Sequence, residues 1–249
     1  MRKKVIAANW KMYKTPDQAK DFFHNFLPLV HGHDRDEIVV CPTYLALDVA
    51  VHAAKGSNVA VGAQNLNWQN EGAYTGEICA SMLVAVGVTH VVIGHSERRQ
   101  YFGETDDTVN LKLKAALEAG LIPIVCVGEV LQEREANLTD DVLRRQCTRA
   151  FHKISAKKAH HMVVAYEPVW AIGTGKTATP EIAADAHAII RGETARSFGD
   201  DFAENLRILY GGSVKPDNAN ALMTTEGIDG ALVGGASLNP KSFAAIVKY

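Results

Sequence analysis

Short runs of apolar residues recur along the chain, and each run is almost continuously hydrophobic instead of alternating with polar residues. This pattern is typical of strands that are buried on both faces, as in a parallel sheet. A segment with helical periodicity follows each run, which predicts a repeated strand–helix unit of roughly 30 residues. The predicted strands are Val5 to Asn9, Glu37 to Cys41, Val59 to Ala63, His90 to Ile93, Ile122 to Val127, Met162 to Tyr166, Arg207 to Tyr210 and Gly230 to Val233.

Helix starts agree with this repeat, because a capping residue is several times followed by proline, which fits the first turn of a helix. No Pro/Ser-rich linker or low-complexity tract divides the chain, so we expect one domain over residues 1–249. The capping pairs are Thr15 with Pro16, Thr179 with Pro180, and Asn239 with Pro240.

Eight parallel strands can form either an open, doubly wound sheet or a closed barrel. In an open sheet, ligand-binding residues concentrate at one switch point, whereas in a barrel they collect from the ends of all the strands. Polar and glycine clusters follow strands over the whole length of this chain. The predicted fold is therefore α/β, a closed parallel (β/α)8 barrel ringed by helices.

Charge and the N-terminus narrow the possible partners. The chain has 26 basic and 28 acidic residues and a formal charge of −2, so we expect no nucleic-acid partner and only small, locally held anions. The first apolar stretch is broken by Asn9 and Lys11 and is too short for a signal peptide or a membrane span. We therefore expect a soluble, cytoplasmic protein without a membrane partner.

Four cysteines lack CxxC spacing and are predicted to be reduced core thiols.

Glu167 follows the sixth predicted strand, where a carboxylate would project into the mouth of a barrel. A carboxylate in that position is a candidate general base. Position alone leaves a second interpretation open, since residues at strand ends are often polar and simply face solvent.

His95 follows the fourth strand and precedes the polar turn Ser96, Glu97, Arg98 and Arg99. If this turn is helical, the positive end of its dipole disfavours the imidazolium and leaves a neutral imidazole that can donate to a substrate oxygen. The residues alone do not distinguish this role from that of a structural surface histidine.

Lys11 and Asn9 follow the first strand and offer a fixed positive charge and a neutral donor. Three glycine-rich segments follow the last three strands, and glycine lets backbone N–H groups approach phosphate oxygens closely. Barrels commonly bind phosphate after strands seven and eight, so these segments predict one phosphate site. The segments are Gly173 with Gly175, Gly211 with Gly212 and Ser213, and Gly234 with Gly235.

Residues 168–176 connect Glu167 to the next helix and are predicted to form a lid with an apolar tip around Ile172. Such a lid would exclude water from a reactive intermediate. The sequence GTGKT within it lacks the first glycine of a P-loop, because Trp170 occupies that position.

These motifs, in this order, resemble those of the triosephosphate isomerase family over nearly the full chain. They read NWKM, AQN, GAYTGE, GHSERR, AYEPVWAIGTGK, YGGSVKPDN and VGGASL. The resemblance implies interconversion of dihydroxyacetone phosphate and D-glyceraldehyde 3-phosphate through an enediol or enediolate, in glycolysis and gluconeogenesis, with no cofactor and no metal.

The resemblance also implies roles for individual residues. Glu167 would be the base and His95 the electrophile, while Asn9 and Lys11 would contact the substrate and Glu97 would pair with Lys11 or take part in proton transfer. Gly173, Ser213, Gly234 and Gly235 would bind the phosphate. The long loop from Gln64 to Glu77, including Thr75, would dock into a neighbouring subunit near Asn9 and Lys11, which implies a C2 homodimer.

Two other functions are compatible with a barrel fold. Another phosphate-handling epimerase or aldolase would need metal ligands or a Schiff-base lysine at a strand position, and neither is visible at the strand ends. A non-catalytic barrel would have no reason to keep the base, the electrophile and the phosphate segments together.

Overall fold

The computed structural model describes residues 2–172 and 177–249, and its strands close into a parallel barrel in chain order. The first strand pairs with the second on one side and with the eighth on the other, for example Val5 with Glu37 and with Gly230. This closure confirms the barrel and rules out the open sheet. The strands are β1 Val5–Asn9, β2 Glu37–Cys41, β3 Val59–Ala63, β4 His90–Ile93, β5 Ile122–Val127, β6 Val163–Tyr166, β7 Arg207–Tyr210 and β8 Gly230–Val233.

Seven strands have the predicted bounds, and β6 starts one residue later than predicted. Met162 donates its backbone N–H to the carbonyl of Ala159 at 2.8 Å, so it still belongs to the preceding turn. Hydrophobicity could not reveal this difference, because Met162 is as buried as the strand residues.

Helices surround the barrel, and the predicted caps are present. Thr15 accepts from Gln18 N–H in a capping box, and Pro16 opens the helix. Thr179 and Asn239 also accept from backbone N–H groups of the helices that they precede, and proline opens both helices. The helices are α1 Pro16–Val30, α2 Leu47–Ala54, α3 Ala80–Val86, α4 Ser96–Tyr101, α5 Asp106–Glu118, α6 Leu131–Glu135, α7 Thr139–Ala150, α8 Ala156–Ala159, α9 Pro180–Phe198, α10 Asp200–Asn205, α11 Ala219–Thr224 and α12 Pro240–Val247.

The core has two layers. One set of buried strand side chains, such as Val39, Ile124 and Leu209, fills the barrel interior. The other strand faces pack against the helices, where Trp10, Phe22 and neighbouring aromatic rings meet edge to face or stacked. Because strand and helix faces are both used for packing, the polar residues at the strand ends are held on a rigid scaffold.

The four cysteines are free and buried, as predicted for core thiols. Within residues 2–172 and 177–249, none of the helices has the length and apolar character needed to span a bilayer.

Candidate active site

A cavity of about 270 Å³ opens at the carboxyl ends of the strands. Its lining brings together residues that follow five different strands, although they are far apart in the sequence. They include Asn9, Lys11, His95, Glu167, Ser213, Gly234 and Gly235. Gly173, the remaining predicted phosphate residue, lies outside the described residues, as does the rest of the predicted lid from residue 173 to 176.

Glu167 lies directly after β6 and is only 2% exposed. Its Oε2 accepts a hydrogen bond from the backbone N–H of Ser96 at 2.8 Å, and its Oε1 lies 2.8 Å from Nε2 of His95. Burial raises the pKa of Glu167, but His95 and the Ser96 N–H outweigh burial and hold this pKa below its ordinary value. The candidate base is therefore ionised and shielded from water, and it does not face solvent.

Two glycines allow the chain to approach Glu167 closely. A Cβ on Gly128 would lie 1.7 Å from the carbonyl oxygen of Glu167, and a Cβ on Gly211 would lie 2.9 Å from its Cγ. A side chain at Gly128 would displace the backbone of Glu167, and a side chain at Gly211 would press on the stem that carries the carboxylate. Gly211, which the sequence assigns to phosphate binding, thus also provides space for the base.

His95 caps the N-terminus of α4, as the polar turn after β4 predicted. Its Nδ1 accepts from the backbone N–H of Glu97 at 3.2 Å, so Nδ1 carries no proton. The proton of a neutral ring is therefore on Nε2, which faces Glu167. In this tautomer the Nε2–H group points into the cavity, where a substrate oxygen could accept it.

In this arrangement the neighbouring carboxylate, and not the helix start, sets the direction of the His95 pKa. Burial lowers the pKa of His95, but the charge and hydrogen bond of Glu167 outweigh burial and raise it above its ordinary value. The carboxylate of Glu167 lies 2.8 Å from the ring, and a full charge at that distance exceeds the partial charge of a short helix.

We expect Glu167→Gln to lower the pKa of His95 relative to the unchanged protein. The carboxylate charge that raises this pKa is lost, while the burial that lowers it remains. The measurement is an NMR titration of the His95 ring. Glu193→Gln is the control, since Glu193 is buried too but lies on α9. A His95 pKa that stays constant in Glu167→Gln would contradict this account of the raised value.

Lys11 has a left-handed backbone, with φ of 51°, which is unusual for a residue with a side chain. Two side chains hold it. Asn9 Oδ1 accepts from the Lys11 N–H at 3.0 Å, and Gln64 Nε2 donates to the Lys11 carbonyl at 2.8 Å. The Lys11 ammonium lies 2.5 Å from Oε1 of Glu97, so the predicted pairing with Glu97 is present.

Sequence reasoning missed the supporting residues. Ser96 acts on Glu167 through its backbone N–H, and no side-chain pattern indicates a main-chain donor. Gln64 was assigned only to the loop after β3, although it also holds the carbonyl of Lys11. Its position directly after a strand was the one available signal, because such residues face the mouth of the barrel.

The same cavity has a glycine-rich wall after β7 and β8, which consists of Gly211, Gly212, Ser213, Val214, Lys215, Gly234, Gly235 and Ala236. A Cβ on Gly235 would meet no atom within 4 Å, so its backbone faces open space. The Cβ position of Gly234 lies 3.4 Å from Cε of Lys11, which places the lysine stem against this wall. The Lys11 side chain and this glycine-rich wall thus border the same cavity.

A second cavity of about 420 Å³ lies behind Glu167 and is lined by Arg99, Asp106 and Arg145 among others. Its arginines already pair with Asp106, and neither His95 nor Lys11 nor the glycine wall borders it. Although it is larger, it lacks the groups for proton transfer at an anionic substrate. We therefore assign the chemistry to the cavity lined by His95 and Glu167.

Comparison with known proteins agrees with the geometry. Residues 4–249 match the family model described as triosephosphate isomerase. The chain is 57% identical to a triosephosphate isomerase of Solibacter usitatus, covering 100% of both chains. It is 55% identical to one of Moorella thermoacetica, covering 100% of this chain and 99% of that protein. The crystal structure of triosephosphate isomerase from Bartonella henselae superposes with a TM-score of 0.88 at 39% identity, covering 98% of this chain and 97% of that one.

A buried carboxylate that contacts an imidazole in a cavity at the carboxyl ends of a closed parallel barrel is the site of an acid–base enzyme. The barrel fold alone is compatible with many activities, so the activity follows from the residues of the site. The chain belongs to the triosephosphate isomerase family. It is accordingly an intramolecular aldose–ketose isomerase.

Proposed function

We propose that the chain interconverts dihydroxyacetone phosphate and D-glyceraldehyde 3-phosphate, with Glu167 as the base and His95 as the electrophile. The observation that carries this assignment is the 2.8 Å contact between a buried carboxylate and an imidazole inside one anion-binding cavity. Aldose–ketose exchange needs a base that removes a carbon-bound proton and a donor that stabilises the resulting oxyanion. Both groups border the same space here.

In the proposed reaction, Glu167 takes a proton from one carbon of the substrate and returns it to the neighbouring carbon. The Nε2–H of His95 donates to the substrate oxygens as negative charge develops on them, and the hydroxyl proton passes by way of Nε2 from the oxygen that becomes the new carbonyl to the former carbonyl oxygen. The Lys11 ammonium offsets the charge of the enediolate and of the phosphate, and Asn9 donates from its side-chain amide. Glu97 holds Lys11 in place through the 2.5 Å ion pair. A role of Glu97 in proton transfer stays a prediction.

We further propose that Ser213, Gly234 and Gly235 bind the phosphate, together with Gly173. The first three line the same cavity as Glu167, which supports this role. We also infer that residues 1–249 act as one domain, since pairing of β1 with β8 requires both ends of the chain. The reaction assigns the enzyme to glycolysis and gluconeogenesis, and we propose the cytoplasm as its location.

The direct test is turnover of D-glyceraldehyde 3-phosphate by the purified chain in a coupled assay with excess EDTA. We expect full activity with EDTA present, because the proposed chemistry uses side chains alone. Activity that disappears with EDTA and returns with a divalent metal would support a metal-dependent barrel enzyme instead. Absence of turnover in both conditions would reject the proposed function.

We propose a C2 homodimer formed through the Gln64–Glu77 loop. Thr75 is exposed near the tip of this loop, next to Tyr74, which is 46% exposed. Large apolar side chains are also exposed near the first strand end and on neighbouring elements, including Met12 at 92% and Leu45 at 83%. Exposed apolar groups of this kind are typical of an interface. A further cavity of about 280 Å³ beside Asn9 and Lys11 could receive the loop of a neighbour.

We expect Thr75→Arg to weaken self-association on the order of 10²- to 10³-fold, because it introduces an unpaired charge into the proposed interface. Sedimentation velocity over a range of concentrations measures the change. Thr148→Arg adds the same side chain to an exposed position on α7 and serves as the control. Identical association of both variants would argue against the loop as the interface.

A further inference from the structure

Two described lysines border the cavity, and they differ in their charge partners. The Lys11 ammonium is paired with Glu97 at 2.5 Å. Lys215 is exposed, and among the described residues it has no carboxylate within ion-pair distance. The positive charge of Lys11 is therefore largely compensated before a substrate arrives, whereas that of Lys215 is not.

The backbone of Lys215 is fixed by Asn218. The side chain of Asn218 accepts from the Lys215 N–H at 2.8 Å and donates to the carbonyl of Ser213 at 3.1 Å. The Lys215 carbonyl in turn accepts from the N–H groups of Asn218 and Ala219. This turn holds the backbone of Lys215 close to Ser213 in the glycine-rich wall. Only the side chain of Lys215 is left free to move.

The charge balance at the mouth gives Lys215 its importance. Among the described residues that line the cavity, Glu167 contributes one negative charge and Lys11 one positive charge, and Glu97, which lies outside this lining, adds a second negative charge through its ion pair with Lys11. Without Lys215 these groups would sum to a negative charge facing a phosphate ester, which is itself close to a dianion at neutral pH. Lys215 removes this repulsion at the rim.

We propose that Lys215 is an electrostatic capture residue: it attracts the phosphate group during approach and retains it next to Ser213, without taking part in proton transfer. The inference rests on the proposed triose phosphate substrate. Charges at the rim of a site mainly affect association and its salt dependence, and clefts lined by one sign of charge raise the on-rate for an oppositely charged ligand.

The test compares Lys215→Gln with the unchanged enzyme at several ionic strengths. We expect kcat/KM for D-glyceraldehyde 3-phosphate to fall about three- to tenfold at roughly 10 mM salt, where the Debye length is about 30 Å. The difference should shrink below about twofold near 1 M, where that length is about 3 Å. kcat should stay constant, because rim binding acts equally on ground and transition states.

Three controls separate capture from a structural effect. Turnover of unphosphorylated D-glyceraldehyde should be the same in Lys215→Gln as in the unchanged enzyme. Lys215→Arg should restore the salt dependence. Lys55→Gln removes an equal charge from the exposed end of α2, at the opposite end of the barrel. It should change neither the turnover of D-glyceraldehyde nor the salt dependence of kcat/KM.

A loss in Lys215→Gln that is independent of salt, or that extends equally to D-glyceraldehyde, would overturn the capture role while leaving the isomerase activity in place. If the unchanged chain shows no isomerase activity, the proposed function fails and the charge argument is tested separately. Inorganic phosphate then serves as the probe, followed by 31P NMR. Binding weakened about threefold in Lys215→Gln supports capture, and equal binding rejects it.

Discussion

Glu167→Gln is expected to lower kcat/KM for D-glyceraldehyde 3-phosphate about 10²- to 10⁴-fold, the usual contribution of a general base. Glutamine keeps the size of the side chain and can still accept from the Ser96 N–H, but it cannot take up a proton. The carboxylate of Glu167 is only 2% exposed and lies 2.8 Å from Nε2 of His95, so its replacement by an amide removes the base from the centre of the site.

The control for this prediction is Glu193→Gln on α9. Glu193 is another buried glutamate, paired with Arg196 and lying within 3.5 Å of Arg144, so its substitution tests the general effect of removing a buried carboxylate. We expect it to affect thermal unfolding and to leave kcat/KM within about twofold. Turnover by Glu167→Gln at the rate of the unchanged enzyme would remove Glu167 from the mechanism.

Most of the fold could be predicted because each strand is buried on both faces. Continuous apolar runs such as Ile122 to Val127 therefore mark strands clearly, and closure follows from the distribution of polar clusters over all strand ends. The same geometry predicted which residues line the candidate active site. Residues at or just past the carboxyl end of a parallel strand lie at the mouth, so Asn9, His95 and Glu167 converge although they are far apart in sequence.

Interactions between distant residues could not be predicted in the same way. The raised pKa of His95 depends on Glu167, which lies 72 positions later and contacts His95 only in the folded chain. The left-handed backbone of Lys11 gives no sequence signal, because glycine would be the expected residue there. Its stabilisation by Gln64 becomes visible only when β1 and β3 are brought together.

Lys11→Met tests whether the catalytic contribution of this position comes from its charge. Methionine has a similar length and can pack its stem against Gly234 as the lysine does. We expect kcat/KM to fall about 10²- to 10³-fold, the range for removing one preorganised group that stabilises developing negative charge. Stability should change by less than about 1 kcal/mol, because the ion pair with Glu97 is partly exposed and is screened by solvent.

Glu97→Gln is the matched variant, because it breaks the same ion pair and leaves the ammonium in place. We expect a much smaller loss, within about tenfold, since Lys11 is still held by Asn9 and Gln64 through its backbone. A comparison of kcat/KM between Glu97→Gln and Lys11→Met at constant salt separates the effect of the ammonium charge from that of the ion pair. Equal losses in both variants would show that the 2.5 Å pair matters as a unit. A large loss in Lys11→Met alone would assign the effect to the ammonium, which lies next to Gly234.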